Sequence, residues 1–275
     1  MSDFKAIFLQ MKYILFLIIL MPLLSALGYA EEDDAQKYEK CMGLVETSAQ
    51  GAVDYANDWI FSGFGGIPAG HCKALGLLGI GQAKDAAKLL DSLGDEMVVK
   101  APLDPSQATK NAQIRTQLFV QAALAWQRAE AYDKAYISYS SALSGITDDD
   151  PHNNRLIGDL YMARGHLQIL RGENRAAIND FTSAIEKNSR SFEGFLARAK
   201  AYRKIRQYLK ARLDVKEALI LSPDHPEVLL EKGILLRLEG KKLEARAAWQ
   251  KIIDLYPQSD DAEIAHENID LLQEN

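Results

Sequence analysis

Five histidines, two cysteines and one short glycine run are the residues from which this chain would have to build chemistry. His71, His152, His166, His225 and His266 are scattered, and none is paired with another at metal-ligand spacing. His71 lies beside Cys72, but one such pair cannot complete a tetrahedral site. Each histidine therefore reads as a surface or helix-end residue. Gly63-Phe64-Gly65-Gly66 follows no convincing strand and opens no phosphate-binding helix, so it reads as a loop. Asp148-Asp149-Asp150 reads as a solvated loop that caps the next helix. No nucleophile elbow or metalloprotease helix pair is present, and the carboxylates show no spacing suited to paired acid–base work. The expectation is a protein that is not an enzyme and needs no cofactor or metal.

The elements that would position these residues begin after an address segment. Lys5 and Lys12 precede an apolar run from Tyr13 to Leu24, and Gly28-Tyr29-Ala30 forms a small-x-small site before an acidic stretch. Residues 1–30 thus have the pattern of a secretory signal peptide. Its apolar run is short for a membrane span and Pro22 interrupts it. The expected address is export, with the periplasm as destination. An uncleaved segment would instead tether the chain to a membrane. Without residues 1–30 the formal charge moves from −6 to −7, which argues against a nucleic-acid partner. In an oxidising compartment, Cys41 and Cys72 are expected to form a disulfide rather than a metal pair or a nucleophile.

The remainder has a period of 34 residues. Tyr161, Phe195 and Leu229 share one phase, and so do Gly165, Ala199 and Gly233. Ala177, Ala211 and Ala245 share another, with Phe181, Val215 and Trp249 four residues later. Phe119, Ala123, Trp126, Ala135 and Tyr139 repeat the same grammar. Spacings of three, four and seven put one apolar stripe on each of two helices. Gly172 and Gly240 suit the turn between them, while Pro223 and Pro257 end second helices.

This alternation of large, small and aromatic positions, with its closing proline, resembles the tetratricopeptide repeat family. The resemblance implies an all-α fold of antiparallel helix pairs stacked into a right-handed superhelix. Four repeats are expected over residues 111–257, two degenerate helix pairs over 36–94, a linker over 95–110, and a capping helix over 259–274. Cys41 and Cys72 then fall on consecutive first helices, which pack side by side in such a stack. Gln168 departs from the pattern, as do Arg164, Arg198 and Lys232 where leucine is common, and each is expected to weaken its helix contact.

The resemblance also implies a groove lined by first helices that binds a peptide or protein. Residues 190–212 carry a net charge of +7. Lys200, Arg203 and Lys204, with Arg198 and His166, are therefore the expected partner-binding residues, for an acidic or carboxylate-bearing segment. The family's carboxylate clamp does not map onto these faces, which carry Val120, Leu124, Met162, His166, Leu196, Lys200, Leu230 and Ile234. The expected role is a non-enzymatic scaffold or adaptor in the cell envelope. The alternatives are a membrane-tethered adaptor and an accessory subunit of an envelope enzyme.

Overall fold

The computed structural model describes residues 32–63, 65–99, 104–146 and 151–272. The expected signal segment lies outside them. Among the described residues there are thirteen α-helices and no strand. They fall into two compact units, one ending at Thr147 and one beginning at Asp148.

The first unit holds α1 (Glu32–Thr47), α2 (Ala49–Phe61), α3 (Gly66–Gly79), α4 (Ala83–Val99), α5 (Pro105–Arg128) and α6 (Tyr132–Ser144). Each helix packs on the next, and α1 also packs on α3. The expected linker is shorter than its composition suggested. Met97 is buried and keeps α4 helical to Val99. Pro105 opens α5, where a missing N–H costs nothing. Gly65 leads into α3 with φ of 96°, and a Cβ there would lie 2.6 Å from Ala69 and 2.8 Å from Trp59. That combination of left-handed backbone and close approach requires glycine.

The second unit holds a 3-10 turn (Pro151–Asn153) and seven helices: α7 (Asn154–Leu170), α8 (Asn174–Lys187), α9 (Phe192–Lys204), α10 (Tyr208–Leu221), α11 (Pro226–Leu238), α12 (Lys242–Leu255) and α13 (Asp260–Asp270). Its helices start in register. Ser191, His225 and Ser259 are the N-cap residues of α9, α11 and α13. The two serine hydroxyls accept the backbone N–H three residues on, and α11 uses Pro226 in its first turn instead.

The large–small alternation is the packing rule within each pair. A Cβ on Gly165 would come within 2.6 Å of the Phe181 ring, and one on Gly233 would collide with the Trp249 indole. Ala199 is accommodated because its partner across the pair is the smaller Val215. Trp249 is fully buried and donates its indole N–H to the Leu230 carbonyl at 3.3 Å. The turns repeat too. Glu130, Gly172, Arg206 and Gly240 all have positive φ, between 54° and 79°. Two of them are not glycine and carry the strain of the left-handed region. The final helix buries Ala262, Ala265 and Ile269 against α12 and leaves a polar outer side, as an end cap must.

Candidate functional site

The first helices of the second unit, α7, α9, α11 and α13, pack side by side. The period of 34 therefore sets equivalent residues in rows across one face. Asp159, Glu193, Glu227 and Asp261 form the row nearest the helix starts. Met162, Leu196, Leu230 and Ile264 form the next, and His166, Lys200, Ile234 and Asn268 the third. Electrostatics confirm the shared face. Burial raises the Asp159 carboxyl above its ordinary range, and Glu193 adds to the effect. Burial likewise raises Asp261, with Glu227 contributing. Burial alone would raise Glu227 as well, but the Lys200 ammonium outweighs it and holds that carboxyl low.

The five expected partner-binding residues do not form an open cationic patch. Arg198 is held by Asp214 through two hydrogen bonds of 2.8 Å, and it donates a third to the Thr182 hydroxyl at 3.0 Å. Lys200 pairs with Glu227 at 2.8 Å, and Arg203 pairs with the buried Glu231 at 2.6 Å. Lys204 is exposed at the end of α9. His166 is half-buried, edge-on to Phe181 at 5.1 Å between centroids. Burial, then the nearby Lys200, push its pKa down to about 4, so it is a neutral ring at pH 7. Counting charge along residues 190–212 missed this neutralisation because the carboxylates belong to neighbouring helices.

The departures at Arg164, Arg198 and Gln168 are each hydrogen-bonded to an aspartate of the second helix of the pair. Asp180 accepts both Arg164 nitrogens, at 2.7 and 2.9 Å, and the Gln168 amide at 2.9 Å. The sequence signal was an arginine followed sixteen residues later by an aspartate, at 164/180 and again at 198/214. Lys232 breaks the series, since Ala248 stands at the corresponding place.

In the first unit, Cys41 and Cys72 are disulfide-bonded across α1 and α3, with Cα atoms 6.2 Å apart and both residues fully buried. His71 is not a surface residue. It is 3% exposed, with one ring nitrogen 2.9 Å from the Tyr38 hydroxyl and the other 2.7 Å from the Gln121 side-chain oxygen. Burial outweighs the Gln121 hydrogen bond and pushes its pKa down to about 4. Asp91 accepts the Trp126 indole N–H at 2.6 Å and the Ser138 hydroxyl at 2.7 Å. No cluster of three metal-ligating side chains occurs among the described residues.

Helix pairs that repeat every 34 residues, close large against small at the crossing, and turn through a left-handed residue decide the architecture. The chain has the tetratricopeptide repeat fold. A tetratricopeptide repeat protein from Parabacteroides merdae is similar with a TM-score of 0.55 at 20% identity, over 86% of this chain and 72% of its own. YrrB, a tetratricopeptide repeat protein with an unusual peptide-binding site, gives 0.51 at 16% identity, over 74% and 92%. MamA gives 0.50 at 14% identity, over 66% and 92%. No family model matches the sequence.

Proposed function

We propose that this tetratricopeptide repeat chain is an exported, non-enzymatic scaffold that holds a polypeptide partner against the first-helix face of its second unit. The observation that carries the reading is the ordered set of rows on α7, α9, α11 and α13. An apolar row, with Met162 and Ile264 partly exposed, runs beside a row of carboxylates at a fixed repeat. Such a face offers side-chain anchors at regular intervals to an extended or helical segment. Export is supported by the signal-like residues 1–30 and by the buried Cys41–Cys72 disulfide, which persists in an oxidising compartment. None of the described helices is long and apolar enough to cross a membrane.

The face changes the charge expected of the partner. Arg198, Lys200 and Arg203 spend their charge on Asp214, Glu227 and Glu231. Of the carboxylate row, Asp159, Glu193 and Asp261 stand outside these pairs and favour a segment with basic rather than acidic side chains. Lys204 remains as a cation at the end of the face, and the Lys200–Glu227 pair, about two-fifths exposed on each side, is available for exchange. Capture of polypeptides from the exported fraction by the wild-type chain and by Met162→Glu/Ile234→Glu tests the reading. A polypeptide retained by the wild type and lost by the variant is expected. Identical capture by both, with both folded, would remove this face from the account.

A further inference from the structure

The outer face of α10 differs from the two helices equivalent to it. At four corresponding places α8 carries Arg175, Asn179, Thr182 and Glu186, and α12 carries Leu243, Ala247, Gln250 and Asp254. In α10 the same places hold Leu209, Leu213, Lys216 and Ile220. The three aliphatic side chains are 62%, 55% and 63% exposed. Their spacing of four and seven residues puts them along one side of the helix, over about 16 Å at 1.5 Å per residue.

Beside this stripe, between α10 and α11, lies an apolar cleft of about 280 Å³. Leu213, Val215, Leu219 and Leu235 line it, together with Lys216, Lys232 and the Arg212–Glu239 ion pair. Its position in the repeat explains its chemistry. One pair earlier, the equivalent place is filled by Arg198, which reaches Thr182 on the preceding second helix and is neutralised by Asp214. Moving each residue on by 34 replaces Arg198 with Lys232, Thr182 with Lys216 and Asp214 with Ala248. Two cations replace one at these places and no acid stands where Asp214 does, while Glu239 at the cleft is taken by Arg212 and Lys241. Neither lysine has an ion-pair partner among the described residues. An exposed apolar stripe leading to such a cleft is the signature of an interaction surface.

We infer that this face is a second docking surface, separate from the first-helix face, and that its occupant is an amphipathic helix of a partner protein that supplies a carboxylate. The three-turn stripe matches the length and anchor spacing of a helix laid along α10. The unopposed Lys216 and Lys232 select an acidic side chain within its apolar face, which completes in trans the ion pair that Asp214 makes in cis.

A synthetic helical peptide tests this. It carries leucines spaced to meet Leu209, Leu213 and Ile220 and a glutamate opposite Lys216, and it is titrated by fluorescence anisotropy against the full chain with its disulfide intact. A second peptide carries glutamine for glutamate. The glutamate peptide is expected to bind at least tenfold more tightly than the glutamine peptide. Ala248→Asp supplies the missing acid internally and is expected to erase that preference. Lys216→Gln, at an exposed position, is expected to halve it or more without touching the core. Leu213→Ser/Ile220→Ser is expected to abolish binding of both peptides. Equal binding of the two peptides overturns the inference. So does concentration-dependent dimerisation of the wild type that Leu213→Ser/Ile220→Ser removes, because the stripe would then belong to a second copy of the chain.

Discussion

In the first unit, the Cys41–Cys72 bond and the Tyr38–His71–Gln121 hydrogen bonds tie first helices to one another. In the second unit, repeated contacts instead close each helix pair on itself. Gly165 and Gly233 receive the rings of Phe181 and Trp249, and Arg164 and Arg198 are clasped by Asp180 and Asp214. A regular repeat distributes its stabilisation over many similar nearest-neighbour contacts. A degenerate one concentrates it in a few specific bonds. The first unit should therefore respond sharply to redox state, and the second should respond to substitutions at the repeated positions.

Breaking the disulfide gives the largest expected effect. The bond joins residues 31 apart, and a loop of that size is worth about 3–4 kcal/mol in the chain-entropy model. Hydrogen exchange of the reduced chain is expected to accelerate in α1–α3 and to stay unchanged in α9–α12. Equal acceleration throughout would show that the two units do not differ in this way.

Acid acts on both units, through His71 in the first and His166 in the second, each held down to about 4 by burial. His71 is neutral in the folded chain down to a pKa of about 4, whereas an unfolded histidine protonates near 6.5. The unfolded state thus binds the extra proton first as pH falls. Stability is intact above about pH 6.5, declines between about 6.5 and 4, and levels off below. The full loss is on the order of 3 kcal/mol. Chemical denaturation across this range is expected to show that slope in the first unit, and His71→Gln is expected to flatten it. A slope that persists in the variant would assign the pH sensitivity elsewhere.

Asp214→Ala tests the ion pairs of the second unit. It leaves Arg198 half-buried without its carboxylate and should cost about 2 kcal/mol. The double change Arg198→Leu/Asp214→Leu should recover most of that loss, because an apolar pair satisfies the site as well as an ionic one. Failure to recover would mean that the pair specifies more than its own contact. The smallest effect is expected at Arg206, whose φ of 61° is the turn conformation that Gly172 and Gly240 adopt without strain. Arg206→Gly should stabilise the second unit by up to about 1 kcal/mol, visible as a rise in denaturation midpoint.

The period, the large–small contacts and the glycine turns were legible in the sequence because each is local to one helix pair. So was the pairing of Cys41 with Cys72, once both were placed on first helices. What escaped notice was longer in range. Glu227 and Glu231 neutralise Lys200 and Arg203 from 27 and 28 residues away, so a running count of charge saw only a basic segment. His71 was read as a surface residue because its partners, Tyr38 and Gln121, are 33 and 50 residues distant. Asp180 and Asp214 were overlooked because arginine in a leucine position looks like a defect until its partner sixteen residues later is seen. The helical stretch to Val99 was hidden by prolines that in fact stand outside it or start the next helix.

The proposed function places a polypeptide on the first-helix face of the second unit. A photocrosslinking amino acid placed at Ile234 on that face, with Gln250 on the outside of α12 as control, tests it in the cells that make the protein. A discrete polypeptide adduct is expected from position 234 and none from position 250. The absence of any polypeptide adduct at 234, or the same adduct from both positions, would contradict it.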